Sequence, residues 1–153
     1  MPDSSDAAQL WFIAGTIPFL VAGGGHALLT LVDTVRPTYF TPQEGSLQPA
    51  LEQTGIRFRR LVPGGDISRP SMWRAWLGFN ISHGLGVCAF ALLALLVALE
   101  EPGLLVRADS IPLLALVVSA TYFVVALRFW FWAPVLITAT STTCFAIATL
   151  LAL

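Results

Sequence analysis

Apolar residues in this chain fall into four runs separated by polar or mixed connections: Leu10–Val32, Trp76–Leu99, Ile111–Leu127 and Pro134–Leu153. The third reaches Trp132 if it continues past Arg128. A helix rises about 1.5 Å per residue, so about 20 apolar residues cross the ~30 Å hydrocarbon core of a bilayer. Each run is close to that length. Four such helices in a soluble domain would leave almost no polar residues to cover them. The pattern therefore predicts an all-α, polytopic membrane four-helix bundle. Its helices fall at about 10–32, 76–99, 111–132 and 134–153, with a polar inner loop over 33–71, in a single membrane domain spanning 1–153.

Composition agrees with that reading. Of the 153 residues 56% are hydrophobic and 11% charged, against roughly 25% charged in an average soluble domain. The mean hydropathy is +0.78. A formal net charge of -1 speaks against nucleic acid as a partner, because such binders carry a clustered positive surface. Cys88 and Cys144 both lie inside apolar runs and form no C-x-x-C pair, which argues against a disulfide framework or a thiol oxidoreductase.

Charge sets the expected direction of threading. All eight basic residues are arginines. Arg36, Arg57, Arg59, Arg60, Arg69 and Arg74 lie between or just inside the ends of the first two runs, and Arg128 between the last two; only Arg107 falls on the other side. The positive-inside bias then puts the N-terminus, the Glu100–Ser110 loop and the C-terminus outside the cytoplasm. The N-terminal tail holds Asp3 and Asp6 but no basic residue, so the first run reads as a retained helix rather than a cleaved signal. Trp11 and Phe12 would mark the outer interface, with Trp73, Trp76 and Phe129–Trp132 at the inner one. An arginine-only basic set suits a GC-rich bacterial genome, and the expected location is a bacterial inner membrane.

The inner connection is the one sizeable polar segment. Thr41-Pro42-Gln43-Glu44 has the form of a capping box with proline at the first helical position. A second short helix is expected from Leu47 to Thr54, stopped by Gly55. Ile56–Val62 mixes arginines with apolar residues; it reads as a topology-setting loop, or as a segment lying on anionic lipid. Pro63-Gly64-Gly65-Asp66 reads as a turn.

Ionisable residues inside spans are costly and mark candidate sites. Those here are His26, with Asp33 at the end of its helix, His83 with Asn80, and Arg128, to which Tyr122 adds a phenol. Counted inward from the helix ends, His26, His83, Tyr122 and Ser141 fall at similar depth, roughly 10 Å in for the histidines. Helical spacing puts Gly15, Phe19, Ala22, His26, Thr30 and Asp33 on one face, and Trp76, Asn80, His83 and Val87 on another. Gly78, Ser82 and Gly86 form a separate small-xxx-small stripe suited to close helix packing, within the chain or in a homo-oligomer. Gly23-Gly24-Gly25 reads as helix packing, or as room for a flat ligand. Thr138–Thr143 reads as packing and backbone bonding.

The histidine layer has three candidate uses. It can be structural, with His26, Thr30, Asn80, His83 and Tyr122 fixing helix register by hydrogen bonds. It can be the acid–base end of a pocket for an isoprenoid, sterol or quinone head group. It can supply His26 and His83 as axial ligands of a haem b, although no cofactor is required by the residues themselves. The chain has two histidines and no H-E-x-x-H, which leaves a catalytic zinc short of its three protein ligands. It has no G-x-S-x-G elbow and no P-loop. No internal repeat of the transporter kind is visible. The residues favour a protein without catalysis whose evident partners are membrane lipids.

The strings His26–Leu31, Arg36-Pro37, Phe40-Thr41-Pro42 and Met72-Trp73-Arg74-Ala75-Trp76-Leu77-Gly78-Phe79-Asn80-Ile81-Ser82-His83, with Arg128-Phe129-Trp130-Phe131 before Pro134, resemble an uncharacterised family of small bacterial four-helix membrane proteins. The resemblance runs from the first helix to the C-terminus. It implies the same fold and carries no catalytic role over to these residues. The arginine-containing stretch Gly64–Pro70 is longer than the family pattern.

Overall fold

A computed structural model of the chain describes residues 4–56 and 70–153. Asp3, Arg57, Arg59, Arg60 and Arg69 lie outside the described residues, as do the 63–66 turn and nearly all of the Ile56–Val62 and Gly64–Pro70 segments. The described residues form α1 (Ser4–Val35), α2 (Leu47–Gln53), α3 (Met72–Glu100), α4 (Leu104–Arg107), α5 (Ser110–Phe129) and α6 (Trp132–Ala152). An isolated antiparallel bridge, Gly55 to Ser71, joins the two chain ends that flank residues 57–69.

Four of these helices are long and apolar enough to cross a membrane. Their outward residues are large and apolar: Val21 is 70% exposed, Leu93 65% and Leu150 75%. Water does not tolerate continuous apolar surface on that scale, whereas lipid does. This is an all-α, multi-pass membrane protein.

The helix ends differ from the expected ones for identifiable reasons. α1 has 32 residues and α3 has 29, so at about 1.5 Å per residue both outrun the ~30 Å hydrocarbon core and continue beyond it. α1 passes through Pro18 and the three glycines without a break, as membrane helices do where neighbours or local adjustments satisfy the freed carbonyl. α6 starts at Trp132, two residues before Pro134. Proline is tolerated there because first-turn N–H groups have no intrahelical partner to lose. Thr41-Pro42-Gln43-Glu44 does not start a helix; its last residue instead closes a turn, the Leu47 N–H donating to the Glu44 carbonyl at 3.0 Å. The helix after it begins at Leu47 as expected. The connection between α3 and α5 carries the short α4, which the sequence pattern did not indicate.

The chain divides into two compact units, residues 1–24 with 86–153 and residues 25–85. The larger contains part of α1, part of α3 and all of α4, α5 and α6. Its core is aromatic. Phe145 is fully buried and meets Phe12 edge-on at 5.1 Å and Phe90 at 6.3 Å. Phe19 meets Phe90 at 5.9 Å and Tyr122 at 5.7 Å, also edge-on. Such geometry matches the positive ring edge to the negative ring face. Gly15 makes room for it: a Cβ there would lie 3.0 Å from the Phe145 ring.

The α5–α6 hairpin packs through small side chains. Ala115, Ser119 and Ala126 are buried on α5, and Ser141, Ala148 and Ala152 on α6. Small residues let helix backbones approach where lipid supplies no hydrophobic drive. Thr138 and Thr140 donate to the carbonyls of Pro134 and Leu136 in their own helix, at 2.8 and 2.9 Å, the backbone bonding expected of the threonine run.

Replacing Phe145 by alanine should lower stability by about 3–5 kcal/mol, since it opens a cavity among rings that cannot collapse. Trp132→Ala, at a residue 74% exposed, should change it by less than about 0.5 kcal/mol. Reversible unfolding in mixed micelles measures both. Equal effects would contradict the core assignment.

Candidate functional site

The smaller unit holds the C-terminal part of α1, the loop after it, α2 and the N-terminal part of α3. Pro37 ends α1: the residue before a proline is pushed out of the helical region, and Arg36 is the last to donate back into the helix, to Val32 at 2.8 Å. The chain then wraps around Asp33. Its carboxylate accepts the N–H groups of Thr38 and Tyr39 on Oδ1, at 2.7 and 2.8 Å, and that of Phe40 on Oδ2 at 2.7 Å. Asp33 is 1% exposed. Three successive amides curled round one carboxylate form an anion nest.

That nest positions Phe40. Its carbonyl accepts from the Trp76 indole N–H at 3.1 Å, tying the loop to α3. Its ring lies against His26, with centroids 4.5 Å apart. Asn80, fully buried, links the two helices: its Oδ1 is 2.9 Å from Nε2 of His26, and its Nδ2 donates to the Trp76 carbonyl at 2.8 Å. His83 presents its ring edge-on to His26 at 5.7 Å and stacks on Phe79 at 5.8 Å. Thr30 is fully buried and donates to the His26 carbonyl at 2.7 Å.

Beside this cluster the loop, α2 and α3 border an open cavity of about 450 Å³ lined by Tyr39, Phe40, Thr41, Pro42, Leu51, Trp73 and Trp76. That size lies within the ~300–1,000 Å³ range of small-molecule sites. Its walls are mostly aromatic. Phe40 belongs to both features, one wall of the cavity and one neighbour of His26.

His26, Thr30, Asp33, Asn80 and His83 thus lie together in one unit. Tyr122 and Arg128 belong to the other, where Tyr122 packs on Phe19 and the exposed Arg128 holds its guanidinium 5.4 Å from the Phe129 ring. Gly78, Ser82 and Gly86 are exposed, and a Cβ at Gly78 or Gly86 would meet nothing within 4 Å. A Cβ at Gly25 would also meet nothing within 4 Å, while one at Gly24 would make an ordinary 3.7 Å contact with the Cys88 sulfur.

Phe40, Tyr39 and Trp73 were not recognisable as site residues from spacing. One signal did exist. Asp33 sits in the last turn of α1, where the helix dipole disfavours a negative charge. A carboxylate kept there needs donors from beyond the helix, and the amides after Pro37 are the nearest.

Asp33→Asn removes the charge that strengthens these bonds, at a cost of about 1.5–3 kcal/mol. Amide hydrogen exchange at Thr38, Tyr39 and Phe40 should accelerate by at least about tenfold, while amides in α6 keep their protection. Unchanged exchange at the three amides would contradict the nest. Against known proteins, no family model matches the chain, no curated protein matches it, and no solved structure matches it. The resemblance to small bacterial four-helix membrane proteins therefore rests on the residue strings alone.

Proposed function

We propose that this protein binds the head group of a membrane-dissolved isoprenoid, sterol or quinone in the cavity of its smaller unit, at the cytoplasmic face of a bacterial inner membrane. The observation that carries the reading is the cavity of about 450 Å³ with Tyr39, Phe40, Trp73 and Trp76 in its walls. Aromatic walls take a flat or apolar group without demanding polar partners. Behind Phe40 stands an imidazole pair, and histidine is the side chain whose ordinary titration range spans neutral pH. His26 or His83 would serve as the proton carrier.

Orientation follows the arginines. Arg36 and Arg74 stand at the ends of α1 and α3 next to this unit's loop, and the positive-inside bias directs that side to the cytoplasm. A reporter fused after Leu153 should then be active only outside the cytoplasm. Activity inside would reverse the threading.

A second reading has its own support, namely how completely the polar groups satisfy one another. Asp33 accepts three amides, Asn80 makes contacts on both sides of its amide, and the Trp76 indole finds a carbonyl. On that reading the cluster only fixes helix register. His83→Asn separates the two: a structural layer should keep its cellular role, and a chemical one should lose it with the thermal melt in detergent nearly unchanged.

Ligand uptake is tested through the indoles. A short-chain ubiquinone analogue titrated into the detergent-solubilised protein should quench tryptophan fluorescence saturably. Trp76→Leu should weaken the apparent affinity at least about tenfold, the scale of one well-buried aromatic contact. Non-saturable quenching, identical in protein and variant, would count against the site.

A further inference from the structure

Asn80 does more than join α1 to α3. A side-chain amide has one accepting end and one donating end. The Trp76 carbonyl, 2.8 Å from Nδ2, can only accept, so the donating end must face it. Turning the amide over would set two acceptor oxygens against each other in a fully buried position, at the cost of an unpaired polar group. The accepting Oδ1 is therefore the end aimed at His26, 2.9 Å from Nε2. An acceptor at that distance calls for a hydrogen on Nε2.

We infer that Asn80 is a positioning residue that holds neutral His26 in its Nε2–H form, so that this imidazole gains and loses its exchangeable proton at Nδ1. The helix itself enforces the choice, because Trp76 and Asn80 are four residues apart and the accepting carbonyl is part of α3. The other polar residues on this face of α1 are Thr30, which donates to the His26 carbonyl, and Asp33, whose carboxylate accepts the loop amides. The His83 ring meets His26 by its edge at 5.7 Å. In a neutral imidazole one nitrogen donates and the other accepts, and the partner of the first decides which is which. Its value for proton exchange rests on the pocket reading above, whereas the assignment of the hydrogen does not.

The chain has two histidines, so a spectrum of protein labelled with 15N in its histidine rings holds two imidazoles, and His83→Asn leaves one. Above the imidazole titration range, His26 should show a protonated Nε2 and an unprotonated Nδ1. Asn80→Leu keeps bulk but removes the acceptor, and should shift the tautomer ratio toward Nδ1–H by about tenfold. A wild-type spectrum dominated by Nδ1–H overturns the inference, and so does an unchanged ratio in the variant. Should Asn80→Leu not fold, the wild-type spectrum decides alone. The expected tautomer without saturable quinone quenching would discard the pocket reading and leave the assignment standing.

Discussion

The smaller unit depends on one carboxylate. Asp33 is buried at the end of a long apolar helix, where an unpaired charge would cost several kcal/mol, and it is satisfied by the amides of Thr38, Tyr39 and Phe40. The loop is bound by the same constraint from its own side. After Pro37 its N–H groups have no helix to bond to, and near lipid they cannot be left to chance. Each side supplies what the other lacks. The loop is thereby ordered without a strand or disulfide, and it brings Phe40 to the imidazole of His26 and to the wall of the cavity.

Polar satisfaction then spreads through the unit in a fixed order. The nest sets Phe40, the Phe40 carbonyl holds the Trp76 indole, the Trp76 carbonyl orients Asn80, and Asn80 meets His26. Hydrogen bonds between membrane helices contribute only about 0.6 kcal/mol on average, so their effect lies more in register than in stability. The larger unit is built differently, around the interlocked rings of Phe12, Phe19, Phe90 and Phe145.

Much of the architecture was legible in the sequence, because a membrane span announces itself by length and apolarity alone. The four helices and the short α2 lie where the pattern puts them. Their ends do not, since Pro134 can sit inside a first turn and α1 continues past the bilayer core. Depth counting placed His26, His83 and Tyr122 at one level. Within the larger unit Tyr122 meets Phe19 edge-on, a contact that depth counting does not foresee. The spacing of Trp76, Asn80 and His83 was informative because all three share one helical stripe. Phe40 and Trp73 were invisible as site residues, because a loop aromatic and an interfacial tryptophan have ordinary explanations. The Gly78, Ser82 and Gly86 stripe is real as a pattern and faces outward, which spacing cannot distinguish from facing in.

If the cavity beside His26 binds a ligand, and is not merely space under a loop, that ligand should accompany the protein out of the membrane. The most direct measurement is mass spectrometry of the lipids and quinones that remain with the protein through detergent purification. One isoprenoid, sterol or quinone species should be enriched well above its share of the membrane extract, and lost in a Trp73→Ala, Trp76→Ala double variant that still elutes as a folded protein. A retained profile identical to the bulk membrane, unchanged by that variant, would contradict binding in the cavity.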